Sequence, residues 1–391
     1  MPEPPAPPQR PLTLPHAAAL VVASMVGTGV FTTGGLVLGE LRAPLAALAV
    51  WLGAGVLSLA GATVYAELGA MMPRAGGEYV YLSRAFHPAL GFLSGWVALT
   101  VGFAAPMAAG ALAFARYAQV LVPSLPYKAT ALALVAVATL LHARDVRAGG
   151  RVQAALTALV VAVIVVFLAG AAASGRADLG RLAAAPLAPT ASSGAGALAV
   201  SLVYVGYAYF GWNGASYVGG EIRDPGRTLP RALMGGTALV TVLYLALNAA
   251  FLAAAPASDL AGRVEVADVA ARALFGARGG AALSALVAIA IAGSVSALAM
   301  TGPRVLQAMA EDGVFFHALG RTNARGAPAA AVLLQGALAA LGVVTSAFEP
   351  LLVYAGYTCT LSSAVTVVGA YVLRRREPAA ARPYRAQAWP L

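Results

Sequence analysis

Charge is what this chain of 391 residues has least of. Asp, Glu, Lys and Arg make up 10% of it, against roughly 25% in soluble domains. Together with 60% hydrophobic residues, that deficit excludes a water-soluble domain and implies an all-α polytopic membrane protein. Cysteine is nearly absent too. Cys359 stands alone in the last apolar run, so a disulfide framework and a thiolate metal site are both excluded, and it reads as a small packing residue. The four histidines, His16, His87, His142 and His317, lie at the ends of apolar runs without metal spacing or a nucleophile beside them. No glycine-rich phosphate loop closes on Lys-Ser or Lys-Thr, which argues against ATP-driven pumping. No enzymatic chemistry, metal or cofactor is expected.

What is present is a series of ten stretches free of Asp, Glu, Lys and Arg: 11–39, 43–66, 85–115, 129–143, 152–175, 182–220, 232–258, 279–303, 326–348 and 350–373. Most exceed the ~20 residues that cross ~30 Å of hydrocarbon. The 129–143 run is short and reaches span length only if Tyr127 and a snorkelling Lys128 sit at the interface. Residues 1–11 are proline-rich and polar, without a signal-peptide pattern, and read as a disordered tail. The net charge of +10 could point to nucleic acid, but its placement does not. With ten crossings, 17 of the 25 basic residues fall on the side of the N-terminus and eight on the other. That bias puts both termini in the cytoplasm of a cell-membrane protein, and the basic balance then reflects topology and contact with the lipid bilayer. The chain divides into the tail, a core at 12–373, and a basic cytosolic segment at 374–391. The external stretch 257–278 carries charges of both signs and could hold a short surface helix.

Glycines interrupt two of the runs. Gly27-Thr28-Gly29 breaks the first, and Gly206-Tyr207-Ala208-Tyr209-Phe210-Gly211 breaks the sixth. Lipid satisfies no freed N–H or C=O, so such breaks survive only where they line a buried polar cavity. Paired breaks in two halves of a chain mark a midplane substrate site. Ten spans divide as five plus five, and an odd-numbered repeat forces the second half to enter from the opposite side. The expected repeats are 12–171 and, inverted, 196–373. At the first break, the N-terminus of the outer half-helix suits a carboxylate, and Thr28 adds a hydroxyl donor. Gly34, Gly35 and Gly39 read as close-packing residues. At the second, unwound carbonyls can accept from an ammonium, while Tyr207, Tyr209 and Phe210 can cover a ligand or shape its side-chain pocket. Trp212 and Tyr217 read as packing, and Asn213 could serve a backbone group or a ligand.

Ionisable groups near the span centres are missing. Glu67 and Glu221 lie at span ends, which argues for a ligand with a neutral side chain, since a midplane charge is costly and kept for function. Ser294 and Ser296 could help ligate a cation. The one lysine, Lys128, lies in an external loop, which excludes a lysine-based proton cycle in the core. Exchange and cation coupling remain, with exchange favoured.

Several segments together resemble amino acid permeases of the amino acid–polyamine–organocation superfamily, in particular the L-type branch. Val26-Gly27-Thr28-Gly29-Val30-Phe31 is similar to the first-helix signature. Met72-Pro73-Arg74-Ala75-Gly76-Gly77-Glu78-Tyr79 is similar to the stretch after helix 2. Tyr207-Ala208-Tyr209-Phe210-Gly211-Trp212-Asn213 followed by Glu221-Ile222-Arg223-Asp224-Pro225-Gly226-Arg227 is similar to helix 6 and its end. The resemblance runs from about residue 12 to the C-terminus. It implies a leucine-transporter-type fold that works by alternating access and a neutral L-amino acid as substrate. Gly27, Thr28 and Gly29 would bind the α-carboxylate, and the carbonyls of Met25 and Tyr207 would receive the α-ammonium. Tyr207 would also act as an aromatic gate. Two departures stand out. The family has twelve helices, so the last two are expected to be missing from a chain that ends at Leu391. Val160 falls where proton-coupled relatives place a lysine. The alternatives are an amine or polyamine carrier, which would need an acidic pocket residue, and a truncated protein that does not transport.

Overall fold

The computed structural model describes residues 12–144, 146–188 and 194–387. The expected disordered tail at 1–11 lies outside the described residues. The elements in chain order are α1 (Leu14–Met25), α2 (Thr28–Leu41), α3 (Pro44–Met71), α4 (Glu78–Ala85) and α5 (Pro88–Val97). A π-helical stretch (Ala98–Ala104) leads into α6 (Ala105–Leu121), followed by α7 (Tyr127–Arg144), α8 (Val146–Ala173), α9 (Ala195–Tyr209) and α10 (Pro225–Ala254). The chain closes with α11 (Ala257–Leu260), α12 (Val266–Thr301), α13 (Pro303–Glu311), α14 (Ala329–Thr345) and α15 (Phe348–Arg376). Proline opens α3, α5, α10 and α13 within their first two positions, where its missing N–H has no helical partner to lose.

Each of the ten charge-free runs coincides with a helix or a helix pair. Among the described residues, seven of these stretches are long and apolar enough to cross a membrane, while α9 and α14 are apolar but shorter. In the sixth run α9 begins at Ala195 and stops at Tyr209, where the chain turns at Phe210 and Gly211. The mixed-charge stretch 257–278 holds α11 and the first turns of α12, which kinks at Gly276, φ +76°.

Burial follows the bilayer logic in reverse of a soluble fold. Leu57 on α3, Val166 on α8 and Tyr357 on α15 are about two-thirds exposed on the outside, while the interior mixes many alanines and glycines with large aromatics such as Trp51, Tyr65 and Tyr244. α6 is buried along most of its length and carries an alanine-rich run at 108–113. Small side chains there bring backbones close without a hydrophobic drive between spans. α3 packs along α10, α6 along α12, α1 against α10, and α2 against α9. Residues 12 and 387 lie at the same end of the bundle, the terminal face. There Leu12 bonds Glu221 and Arg223 through its backbone, and Ala386 N–H donates to Glu67.

Candidate functional site

The first break is two residues wide. α1 ends at Met25, Val26 and Gly27 leave helical geometry, and α2 restarts at Thr28. No side chain caps the start of α2, so its first N–H groups stay available to an anion. Inside that first turn Thr32 Oγ1 donates to the Thr28 carbonyl at 2.7 Å and Thr33 Oγ1 to that of Gly29 at 2.8 Å. Gly27 has no room for a side chain: a Cβ there would lie 2.1 Å from Ser294 Oγ.

The second break falls at Phe210 and Gly211 rather than from Gly206, which stays inside α9. Gly211 has φ +107°, a region costly to residues with a Cβ. A Cβ at Gly211 would also meet the Ser24 carbonyl at 2.3 Å. Beyond it the chain runs through two 3₁₀ turns, Gly214–Tyr217 and Gly219–Glu221, instead of resuming an α-helix.

The two breaks touch each other. Gly211 lies against Ser24, and a Cβ on Gly29 would meet Ala208 Cα at 2.3 Å. A residue that the sequence pattern does not single out joins them. Tyr244 of α10 directs its hydroxyl at the carbonyls of Met25 (2.6 Å) and Ala208 (3.0 Å). One O–H carries one proton, so the two carbonyls share a single donor. Its ring packs on Trp51 and Tyr209, with centroids 5.4 and 5.1 Å away. The available sign was a lone tyrosine in the aliphatic run 232–258.

The residues singled out from sequence are distributed as follows. Met25 O accepts from Tyr244, and Tyr207 O accepts from the Phe210 N–H at 3.1 Å; each carbonyl keeps a second lone pair. Tyr207 is buried on the α2-facing side of α9, with its hydroxyl directed toward Thr28. Tyr209 is turned away, donating to the Trp51 carbonyl at 3.1 Å. Phe210 lines a small cavity with Ser24, Phe103, Asn213, Tyr217 and Thr301. It also borders an apolar lateral groove of about 780 Å³ between α3, α9 and α15. Phe103 comes from the π-helical stretch, a feature that recurs at functional sites and that sequence periodicity does not reveal. Trp212 packs edge-on against Tyr65, 4.7 Å between centroids.

Ser294 and Ser296 face different neighbours. Ser294 meets Gly27, whereas Ser296 bonds His142 Nε2 at 2.8 Å, because positions two apart on a helix point to different sides. Val160, Thr157 and Ser294 line a cavity of about 10 Å³ beside Val26, room for one water at most. Gly35 and Gly39 pack closely as expected, but onto residues 260–263 rather than onto a spanning helix; Gly262 N–H donates to the Gly35 carbonyl at 2.7 Å.

At the terminal face the segment after the second break is pinned down. Gly76 N–H donates to the Tyr217 carbonyl, Arg304 pairs with Glu221 at 3.1 Å, and Tyr79 donates to Asp312 at 2.7 Å. Arg74 pairs with Asp312 as well. Burial raises the Asp312 carboxyl, but the hydrogen bonds from Arg74 and Tyr79 outweigh it and hold the group below its ordinary range. One buried acid is not evident from the sequence pattern. Glu78, 5% exposed at the start of α4, contacts Asn213 directly beyond the second break.

A helical bundle with apolar outer faces, interrupted at two abutting points, defines a polytopic membrane transporter. The amino acid permease family matches residues 12–391, and the chain belongs to that family, whose members are transporters and not enzymes. It is 28% identical over 387 residues to the b(0,+)-type amino acid transporter 1 of Oryctolagus cuniculus, covering 96% of this chain and 78% of that protein. The large neutral amino acids transporter small subunit 2 of Rattus norvegicus is 30% identical over 381 residues, covering 95% of this chain and 71% of its own. These relatives place it with the L-type branch of the superfamily.

Proposed function

We propose that this protein moves neutral L-amino acids across the cell membrane by alternating access, as an exchanger. The observation that carries the proposal is the meeting of the two breaks. The uncapped start of α2 offers N–H donors to a carboxylate. Within the same layer, the carbonyls of Met25, Tyr207 and Ala208 offer acceptors to an ammonium, so a zwitterion satisfies both. Gly27, Thr28 and Gly29 form the carboxylate side of this reading, and Tyr207 and Phe210 shape the side-chain pocket. Tyr209 takes an indirect part, through the Trp51–Tyr244 cluster. In this reading the terminal face is cytoplasmic, the ten helices form two inverted repeats of leucine-transporter type, and Ser294 remains the candidate for a cation beside α1.

A neutral side chain is favoured because the cavity bordered by Phe103, Phe210 and Thr301 is lined by no charged residue. Glu78 does not turn the reading toward amines, since Tyr65, Ser362 and Asn213 already bond its oxygens. Binding of the twenty amino acids to purified protein tests the proposal. Saturable binding of neutral members, lost in Tyr207→Ala or moved toward bulkier side chains, is expected. Preference for lysine or a diamine would defeat it.

A further inference from the structure

Among the described residues three buried carboxylates stand near the terminal face or the outer rim, and two have cations. Glu67 pairs with Arg374 and with Arg382, and Asp268 pairs with Arg272. Glu78 differs. Its Oε1 accepts from Tyr65 of α3 and from Asn213 Nδ2 at 3.4 Å, and its Oε2 accepts from Ser362 of α15 at 2.7 Å. The titratable groups facing it are Tyr65 from α3, Tyr81 from its own helix, Tyr217 from the 3₁₀ turn and Cys359 from α15. All are neutral at physiological pH, and among the described residues no arginine, lysine or histidine pairs with it.

A buried carboxylate without a cation is costly, and here the surroundings can serve either form. Hydroxyls donate to a carboxylate or accept from a carboxylic acid. Asn213 Oδ1 is buried without a hydrogen-bond partner, so turning the amide presents an acceptor to a Glu78 O–H. The position matters because Glu78 directly follows the loop that closes the terminal face. Gly77, at φ +53°, lies against the Tyr217 ring, and Ala75 bridges to Val218. Separating that loop from residues 217–218 would bring water to the carboxyl.

We propose that Glu78 is a proton-binding site of the transporter. It holds a proton while residues 72–77 are packed against residues 217–218, and releases it to cytoplasmic water when that contact opens. Burial raises its affinity for the proton in the closed arrangement, so closure is favoured at low pH and weakens as pH rises above the ordinary carboxyl range. The inference rests on the transport reading for its main test, and a second readout keeps the two separable.

The test is amino acid exchange in proteoliposomes at a series of internal pH values, with Glu78→Gln standing in for the neutral acid. Wild-type exchange is expected to fall roughly threefold or more between internal pH of about 5.5 and about 8.5, while E78Q stays near the low-pH rate throughout. A pH-independent wild type, an E78Q profile like the wild type's, or a folded but inactive E78Q would each overturn the proposal. If E78Q does not fold, Glu78→Asp decides: a displaced pH midpoint supports the site and an unchanged one refutes it. If the wild type exchanges no amino acid, the transport reading fails and the fluorescence of Trp212, packed edge-on against Tyr65, decides instead. An emission change with pH that is absent in E78Q supports proton binding, and one that survives refutes it.

Discussion

At the scale of single residues, the site depends on atoms that are missing and on one hydroxyl that is shared. Tyr244→Phe removes the donor that two buried carbonyls divide between them, and leaving a buried acceptor unmet costs about 1–3 kcal/mol. Substrate affinity is expected to fall roughly fivefold or more, with surface expression retained; isothermal titration against a bound neutral amino acid checks this. Gly27→Ala would drive a methyl into Ser294 and is expected to abolish uptake. Because the obstruction is that one side chain, Ser294→Gly in the same chain should restore part of the rate, a coupling that a double-mutant cycle measures. Additive losses would mean that Gly27 acts otherwise.

At the scale of elements, the breaks are legible in the sequence because an apolar run tolerates clustered glycines only where neighbouring protein shelters the freed backbone. The first break, expected over Gly27-Thr28-Gly29, falls at Val26 and Gly27, with Thr28 and Gly29 already in the first turn of α2. The sixth-helix break is displaced from Gly206 to Gly211, since several glycines stand close together and only backbone approach to Ser24 selects one of them. The partner tyrosine is less visible, because its role depends on packing between α10 and two distant segments. The π-helical stretch and Glu78 are hidden for the same reason: a hydrogen-bond register and a burial are set by neighbours, not by local pattern. Gly211→Ala combines a positive-φ cost of about 1–3 kcal/mol with collision against a carbonyl. It should lower both transport and thermal stability, whereas Gly206→Ala, whose Cβ would find only Thr360 Oγ1 at 3.4 Å, should be tolerated. Uptake and melting curves of the two variants side by side make the comparison.

At the scale of the whole molecule, the last described residues fold back on the terminal face instead of leaving it. Glu67 gathers Arg374, Arg382 and the Ala386 N–H, and Tyr384 reaches Met234 of α10. Glu67→Gln takes the carboxylate away from Arg382, whose side chain is 4% exposed. Breaking a buried pair in this way costs about 3–5 kcal/mol, and a clear drop in detergent melting temperature, with faster proteolysis after residue 376, is expected. An unchanged melting curve would place the cluster in water.

The central claim is that the two abutting breaks form a neutral amino acid site that opens alternately to either side. It is tested most directly by counterflow. Proteoliposomes loaded with one unlabelled neutral amino acid should accumulate a labelled neutral amino acid from outside. Empty liposomes and liposomes carrying Gly29→Leu, which forces a side chain between α2 and Ala208, should not. Accumulation at the wild-type rate by Gly29→Leu, or counterflow of lysine or a diamine in place of neutral substrates, would contradict the account.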